Sequence, residues 1–105
     1  MAQITVIAPT KSAVAYNNAS GLSKPFNTTA YDKVIVGADN LADAEEVDIY
    51  IVFPTGVKAA TNVSGTAQKL TASIPALALE AGPTYICSKV ATAGDCGVYV
   101  DLGAG

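Results

Sequence analysis

The sequence predicts an all-β fold, an antiparallel β-sandwich or small barrel of about seven to nine short strands. Half of the 105 residues are hydrophobic, and they fall mainly in short β-branched runs such as Val34-Ile35-Val36 and Ile49-Tyr50-Ile51-Val52-Phe53. Glycine and proline clusters separate these runs at intervals of about eight to twelve residues. No segment has the helical periodicity of a βαβ crossover. A chain of this length predicts a single domain over residues 1–105.

The amino-terminal part predicts one clear strand and one weaker one. Residues 3–8 alternate polar and apolar side chains, which predicts a strand that Pro9 ends. A second strand is expected at residues 11–16. Residues 17–26 collect Asn, Ser, Gly, Lys and Pro, a composition typical of an exposed loop.

The middle of the chain gives the strongest strand predictions. Residues 31–37 predict a strand with Val34 and Val36 together on one face. The acidic stretch at residues 38–46 predicts either a short helical turn or an open loop. It leads into the most apolar strand, at residues 47–53.

A hairpin is expected next, because Pro54-Thr55-Gly56 is typical of a tight turn and residues 57–63 can pair back onto the preceding strand. Residues 66–74 alternate again, which places Leu70 and Ile74 on one face of a further strand.

The carboxy-terminal part predicts two more strands. Residues 75–83 have Pro at one end and Gly-Pro at the other, which predicts a connection of about one helical turn. Strands follow at residues 85–90 and 98–102, joined by a loop at 91–97. The small residues 103–105 predict a frayed tail.

The composition argues against an enzyme. The chain has no histidine, arginine or tryptophan. Histidine titrates nearest neutral pH and arginine is the usual ligand of phosphates and carboxylates, so the commonest routes to acid–base catalysis and anion binding are missing. We therefore expect no catalytic, cofactor-binding or metal-ligating residues.

The charge pattern argues against nucleic acid and membrane partners. Only 14% of residues are charged, the net charge is −3, and the cations are six scattered lysines. Nucleic acid binding needs clustered positive charge. No apolar run approaches the roughly eighteen residues that span a bilayer, and the first residues lack the pattern of a secretory signal. Synthesis and folding in a cytoplasm are expected.

Two cysteines, Cys87 and Cys96, are too few for a disulfide framework and too few for a zinc site. Two half-buried free thiols in a reducing cell are favoured. A disulfide formed after release from a host stays open as the alternative.

One acidic cluster has the oxygen ligands that calcium prefers. It consists of Asp39, Asp43, Glu45, Glu46 and Asp48. The spacing does not match the helix-loop-helix calcium loop. We favour a solvated, like-charged loop that aids solubility, with cation binding as the alternative.

Adjacent serine and lysine residues occur at Ser23-Lys24, Ser88-Lys89 and Lys11-Ser12. A desolvated lysine can activate a serine, but neighbours on a strand point to opposite faces, so Ser88 and Lys89 are not expected to act together. The glycines of Gly94-Asp95-Cys96-Gly97 match no phosphate-binding loop.

The tyrosines offer an apolar ring together with a polar hydroxyl group. They are Tyr16, Tyr31, Tyr50, Tyr85 and Tyr99. Either some lie at an interface, or all pack at sheet edges with their hydroxyl groups outward.

Four carboxy-terminal segments resemble the small β-sandwich decoration, or head-stabilising, proteins of tailed bacteriophages. They are residues 67–75 (AQKLTASIP), 77–85 (LALEAGPTY), 89–94 (KVATAG) and 97–101 (GVYVD). The resemblance implies a non-enzymatic protein that binds the outside of a capsid, often as a trimer where shell subunits meet. It implies no catalytic residues.

The main hypothesis is therefore a virion structural protein on the capsid exterior, with the major capsid protein and its own copies, as a homotrimer, for partners. The mean hydropathy of +0.36 favours burial of apolar surface by assembly. Residues 1–8 and the segment before Pro25 are expected to reach a neighbour without being needed by the core. The alternative function is a small carbohydrate- or protein-binding β module.

Overall fold

The computed structural model describes residues 2–17, 21–61 and 65–103. Within these ranges the backbone forms nine β-strands and no helix, which confirms the all-β prediction. The strands are β1 (Ala2–Thr10), β2 (Phe26–Asn27), β3 (Lys33–Ala38), β4 (Glu46–Phe53), β5 (Gly56–Ala59), β6 (Lys69–Thr71), β7 (Ala76–Leu79), β8 (Thr84–Lys89) and β9 (Cys96–Gly103).

The strands form two antiparallel sheets that pack face to face. Sheet 1 has the strand order β1-β9-β3-β7, and sheet 2 has the order β2-β8-β4-β5, with β6 paired to the start of β4 beside β5. The core lies between the sheets. Its side chains with 0% exposure include Val36, Val47, Leu70 and Val98.

Strand β3 shows how the sequence pattern produces this packing. Its side chains alternate, so Val34 and Val36 are buried while Lys33 and Ile35 face solvent, as predicted. The strand pairs with β9 on one side and β7 on the other, so it lies inside sheet 1.

The amino-terminal strand is longer and more deeply packed than predicted. Pro9 does not end it, because β1 runs to Thr10 with register irregularities between Thr5 and Ile7 and between Ile7 and Thr10. A bulged edge strand tolerates a proline, which has no amide hydrogen to donate. Val6 and Ile7 are each 1% exposed. The expectation that this strand is not committed to the core is therefore wrong.

The segment after β1 closes one side of the sandwich. The strand predicted at residues 11–16 is reduced to one bridge, between Val14 and Lys89. The loop predicted at residues 17–26 is exposed only in part. Ser23 is buried and bridges Ile7, and Phe26 is buried as the first residue of β2. Residues 18–20 of that loop prediction lie outside the described residues.

The helical turn predicted at residues 75–83 is wrong, because Ala76–Leu79 forms the edge strand β7 against β3. Leu77 and Leu79 alternate with alanines, and pairing with β3 overrides the helical preference of alanine and leucine. The strand predicted at 66–74 is confirmed only at Lys69–Thr71, since a turn between Thr71 and Ile74 leaves Ile74 54% exposed.

The connections agree more closely with prediction. Phe53 pairs with Gly56 across the tight turn at Pro54 and Thr55, and Gly56 has a φ of 148°. Residues 62–64 of the predicted return strand lie outside the described residues. The acidic stretch is an open loop, one of the two predicted forms.

The tail prediction is wrong at Gly103, which is buried and pairs with Lys33. Residues 104 and 105 lie outside the described residues.

Candidate functional site

The acidic loop uses its carboxylates to hold the backbone. Glu45 accepts hydrogen bonds from the amides of Ala42, at 2.7 Å, and Ala93, at 2.8 Å. Asp39 accepts one from the amide of Gly97 at 2.8 Å. These contacts fasten the loop before β4 to the loop before β9. Over residues 2–17, 21–61 and 65–103, no three acidic, cysteine or histidine side chains group as metal ligands do.

Two further carboxylates of the acidic cluster, those of Glu46 and Asp48, meet a lysine on the outer face of sheet 2. Lys69 Nζ lies 2.9 Å from a carboxylate oxygen of Glu46 and 3.8 Å from one of Asp48. The hydrogen bond with Glu46, and then the charge of Asp48, raise the pKa of Lys69. These side chains are 40–46% exposed, so the ion pairs contribute little to stability.

Beside this group lies an aromatic pair, Tyr16 and Tyr50, which we call the tyrosine pair. The two ring centroids are 4.8 Å apart and the rings are inclined at 48°. The amide of Tyr16 donates to the hydroxyl of Ser88 at 2.7 Å, which fixes the backbone that carries the ring. Burial, followed by the charge of Asp48, raises the pKa of Tyr50. The pair is half-buried and presents an aromatic surface on sheet 2.

Tyr85 belongs to the core instead. It is 3% exposed, its ring stacks on Phe26 with centroids 5.7 Å apart, and its hydroxyl donates to the carbonyl of Glu80 at 2.7 Å. The tyrosines thus divide between the core and the sheet surfaces. The prediction that all of them could pack at sheet edges with outward hydroxyl groups is wrong for Tyr85.

Lys89 is the feature that the sequence analysis missed. It is 4% exposed, and its ammonium group donates to the carbonyls of Ser12, at 2.8 Å, and Thr10, at 3.1 Å, and to the hydroxyl of Thr92 at 3.3 Å. Burial lowers the pKa of Lys89. The alternation of β8 could have indicated this burial, because Lys89 occupies a position that faces inward in a mostly apolar strand.

The side chains of Ser88 and Lys89 lie on opposite faces of β8. Lys89 points inward while Ser88 accepts from Tyr16 on the outer face, as the alternation predicted. The hydroxyl of Ser23 donates to the carbonyl of Cys87, and Ser12 contacts Lys89 only through its own carbonyl.

Both cysteines are free, as predicted, but the prediction that they are half-buried is wrong, because both have 0% exposure. Burial raises the pKa of the Cys87 thiol to about 12 and also raises that of Cys96. These thiols are therefore poor nucleophiles at neutral pH.

A cavity of about 370 Å³ opens at one side of the sandwich, and we call it the edge cavity. Its walls are the end of β7 with the loop that follows it, strands β4 and β8, and the segments just after β5 and just before β6. Its apolar lining includes Ile51, Ala60, Leu79 and Tyr85. Its polar lining consists of Thr61, Gln68 and Glu80. The side-chain oxygen of Gln68 is buried with no hydrogen-bond partner among the described residues.

The two edges of sheet 1 remain open in the part of the chain that the structure describes. The outer edge of β1 is covered near its middle, where the backbone amide of Lys24 donates a hydrogen bond to the carbonyl of Val6. Over residues 2–5 no described strand pairs with this edge, and none pairs with the outer edge of β7. Neither stretch carries a charge, and charge is a common device that protects sheet edges.

Among the residues described, no helix has the length and apolar character needed to cross a membrane.

Comparisons with known proteins give one informative match. No family model matches the chain, and no curated protein matches its sequence. The crystal structure of the SPBc2 prophage-derived protein YomS is similar to this chain, with a TM-score of 0.71 and 16% sequence identity. The match covers 96% of this chain and 90% of that one. The chain therefore shares the fold of a prophage-derived protein over nearly its whole length.

Proposed function

We propose that this chain is a virion structural protein that binds and stabilises the outer surface of a phage head. The fold shared with the SPBc2 prophage-derived protein YomS over nearly the whole of both chains carries the proposal. The resemblance of residues 67–101 to phage decoration proteins supports it. The absence of histidine and arginine from the sequence fits a protein without catalytic activity.

The proposed partners are the major capsid protein and further copies of this chain, as a homotrimer, with no nucleic acid or membrane partner. Two uncharged open edges on sheet 1 support association through the backbone. Linked copies would bind a repeating shell far more tightly than one copy does, because each contact raises the effective concentration of the next. The protein would be made in the host cytoplasm and act on the capsid exterior.

The test uses phage particles whose major capsid gene lies beside the gene for this chain, prepared without the chain. Purified protein is added and sedimented with the particles, and electron cryomicroscopy locates it. We expect saturable binding at symmetry-related outer positions and greater resistance of the particles to heat. An unrelated capsid of similar size is the control. If the particles sediment and the protein stays in the supernatant, the proposal is overturned.

The second candidate function is a small carbohydrate- or protein-binding module, which the tyrosine pair favours. Aromatic faces stack on sugars, and the neighbouring Asp48 and Lys69 offer an acceptor and a donor for hydroxyl groups. In a glycan-binding screen, Tyr50→Ala would abolish binding while Tyr99→Ala, on sheet 1, would not. Glycan binding that is lost in this way, without particle binding, would favour the second function.

A further inference from the structure

The two open edges of sheet 1 are complementary in direction. Every neighbouring pair in the order β1-β9-β3-β7 is antiparallel, so β1 and β7 run in opposite directions. A second copy whose β1 lies beside β7 therefore continues the antiparallel order. The open stretch of β1, residues 2–5, is also as long as β7, Ala76–Leu79.

We propose that copies of this chain join head to tail, with β1 of one copy pairing antiparallel with β7 of the next and Ile4 entering the edge cavity. The inference rests on the self-association included in the proposed function, and it names the surfaces that carry it.

The side chains of the two edges match when the two stretches are paired end to end. Ile4 lies opposite Val100 within its own sheet, and Leu77 lies opposite Val36, so both belong to the inward face. The end-to-end register places Ile4 of one copy opposite Leu77 of the next. It also places Gln3 opposite Ala78, and both of these face outward. A slip by one residue would turn Ile4 to the outer face of the neighbouring sheet, so burial of Ile4 excludes that slip. The equal length of the two stretches then favours the end-to-end register.

Ile4 and the edge cavity supply the apolar contact. Ile4 is 43% exposed although it lies on the inward face. The cavity of about 370 Å³ lies beneath the open side of β7. An apolar cavity of about 150 Å³ is large enough for benzene, so an isoleucine side chain fits. Leu77 does not line the cavity, and the contact is made through Leu79, which lies diagonal to Ile4 in this register and does line it.

A two-fold symmetric contact, in which the same edge of both copies pairs, would cover either Ile4 or the edge cavity but not both. Pairing β7 with β7 of another copy would leave Ile4 in water, and pairing β1 with β1 would leave the edge cavity open. The head-to-tail contact covers both features. Such contacts close into a ring or continue as an open chain, depending on the rotation between copies.

Cysteine cross-linking of the full chain tests the contact. Gln3→Cys and Ala78→Cys are prepared as separate variants, mixed, and oxidised. Both positions are exposed, and the native thiols are buried. We expect a disulfide-linked dimer in the mixture and none in either variant alone. A dimer of Ala78→Cys alone would show two-fold pairing and overturn the proposal. Ile35→Cys, on the same outer face but one strand inward, is the control for Ala78→Cys and is expected not to cross-link with Gln3→Cys.

The double variant Gln3→Cys, Ala78→Cys separates the contact from the oligomer size. A ladder that ends at three copies supports both the contact and the homotrimer. A longer ladder supports the contact and contradicts the homotrimer. Failure of the mixed variants to link at any protein concentration overturns the inference, while particle binding by such a protein would leave the proposed function standing.

Ile4→Asp tests the entry of the side chain into the cavity. Because Ile4 is already exposed in one copy, the fold should persist, which circular dichroism verifies. Sedimentation velocity is expected to show association weakened by at least about tenfold, since the added carboxylate would lose its water in a cavity that Glu80 also lines. Ile35→Asp, at a position that is 39% exposed on the outer face of sheet 1, is the matched control and should associate normally. Equal association of the two variants would overturn the proposal.

Discussion

The ammonium group of Lys89 lies 2.8 Å from the carbonyl oxygen of Ser12, and the same group bonds the carbonyl of Thr10 at 3.1 Å. One lysine thus satisfies two backbone acceptors in the turn that follows β1. The backbones of Val14 and Lys89 form two hydrogen bonds with each other. Tyr16 follows two residues after Val14, and its ring contacts the ring of Tyr50. The buried lysine therefore helps to place the tyrosine pair.

Lys89→Met is expected to lower the free energy of unfolding by about 2 to 4 kcal/mol. Methionine keeps the apolar stem but removes the donor of the Ser12 carbonyl, and it leaves the Thr10 carbonyl with the 3.3 Å hydrogen bond from the Thr92 hydroxyl. Urea denaturation measures the change, with Lys24→Met at an exposed position as the control. Equal stability of the two variants would show that the buried ammonium group is not needed.

Glu45→Gln is expected to destabilise the protein by about 1 to 2 kcal/mol. The carboxylate accepts charge-assisted hydrogen bonds from the amides of Ala42 and Ala93, and a glutamine oxygen replaces only one of them. Asp43→Asn, at an exposed position, is the control. The partners of Glu45 are backbone amides, so EDTA should leave the melting temperature unchanged. A large fall with EDTA would support the calcium alternative.

The sequence predicted the layers of this fold better than its edges. Strands such as β3 and β4 carry β-branched residues on a face that must be buried, so the two-residue period of the pattern identifies them. The edge strand β7 consists of alanine and leucine, which also suit a helix, and only its pairing with β3 makes it extended.

The candidate site was less accessible to sequence reasoning, because its features arise between distant segments. The two residues of the tyrosine pair are far apart in the chain. The sequence identified both tyrosines but did not predict that their rings are in contact. The edge cavity depends on how the end of β7 packs against β4, β8 and the segment around Gln68, which no local pattern encodes. Lys89 was considered only as a neighbour of Ser88, although its position on an inward-facing register indicated burial.

Cys87 is expected to make the stability of the protein depend on pH in alkaline solution. The ordinary pKa of a cysteine thiol is 9.0, and burial, which disfavours the charged thiolate, raises the pKa of Cys87 in the folded protein to about 12. Between these values the unfolded chain loses the proton and the folded chain keeps it, so stability falls as the pH rises.

Cys87→Ala removes this pH dependence. The loss of unfolding free energy that it causes should therefore be smaller at pH 10 than at pH 7, by about 1 kcal/mol. Val47→Ala, which removes a buried side chain that does not titrate, should have the same effect at both pH values. At neutral pH the double variant with Cys96→Ala should remain folded, with a loss of about 1 to 3 kcal/mol. Loss of all folded protein would contradict this.

Gln68→Leu is expected to stabilise the protein, although it replaces a native side chain. The side-chain oxygen of Gln68 is buried beside the edge cavity without a hydrogen-bond partner, and leucine removes that unsatisfied acceptor. We expect a gain of about 1 kcal/mol, or roughly 4 °C in Tm, in thermal unfolding of dilute protein. Dilution matters because association would itself raise Tm. Gln68→Glu has nearly the same shape but brings a charge to the same place, so it should lower Tm. If leucine lowered Tm as much as glutamate does, the oxygen of Gln68 would have a partner in solution, and the edge cavity would be a polar site instead of a receptacle for Ile4.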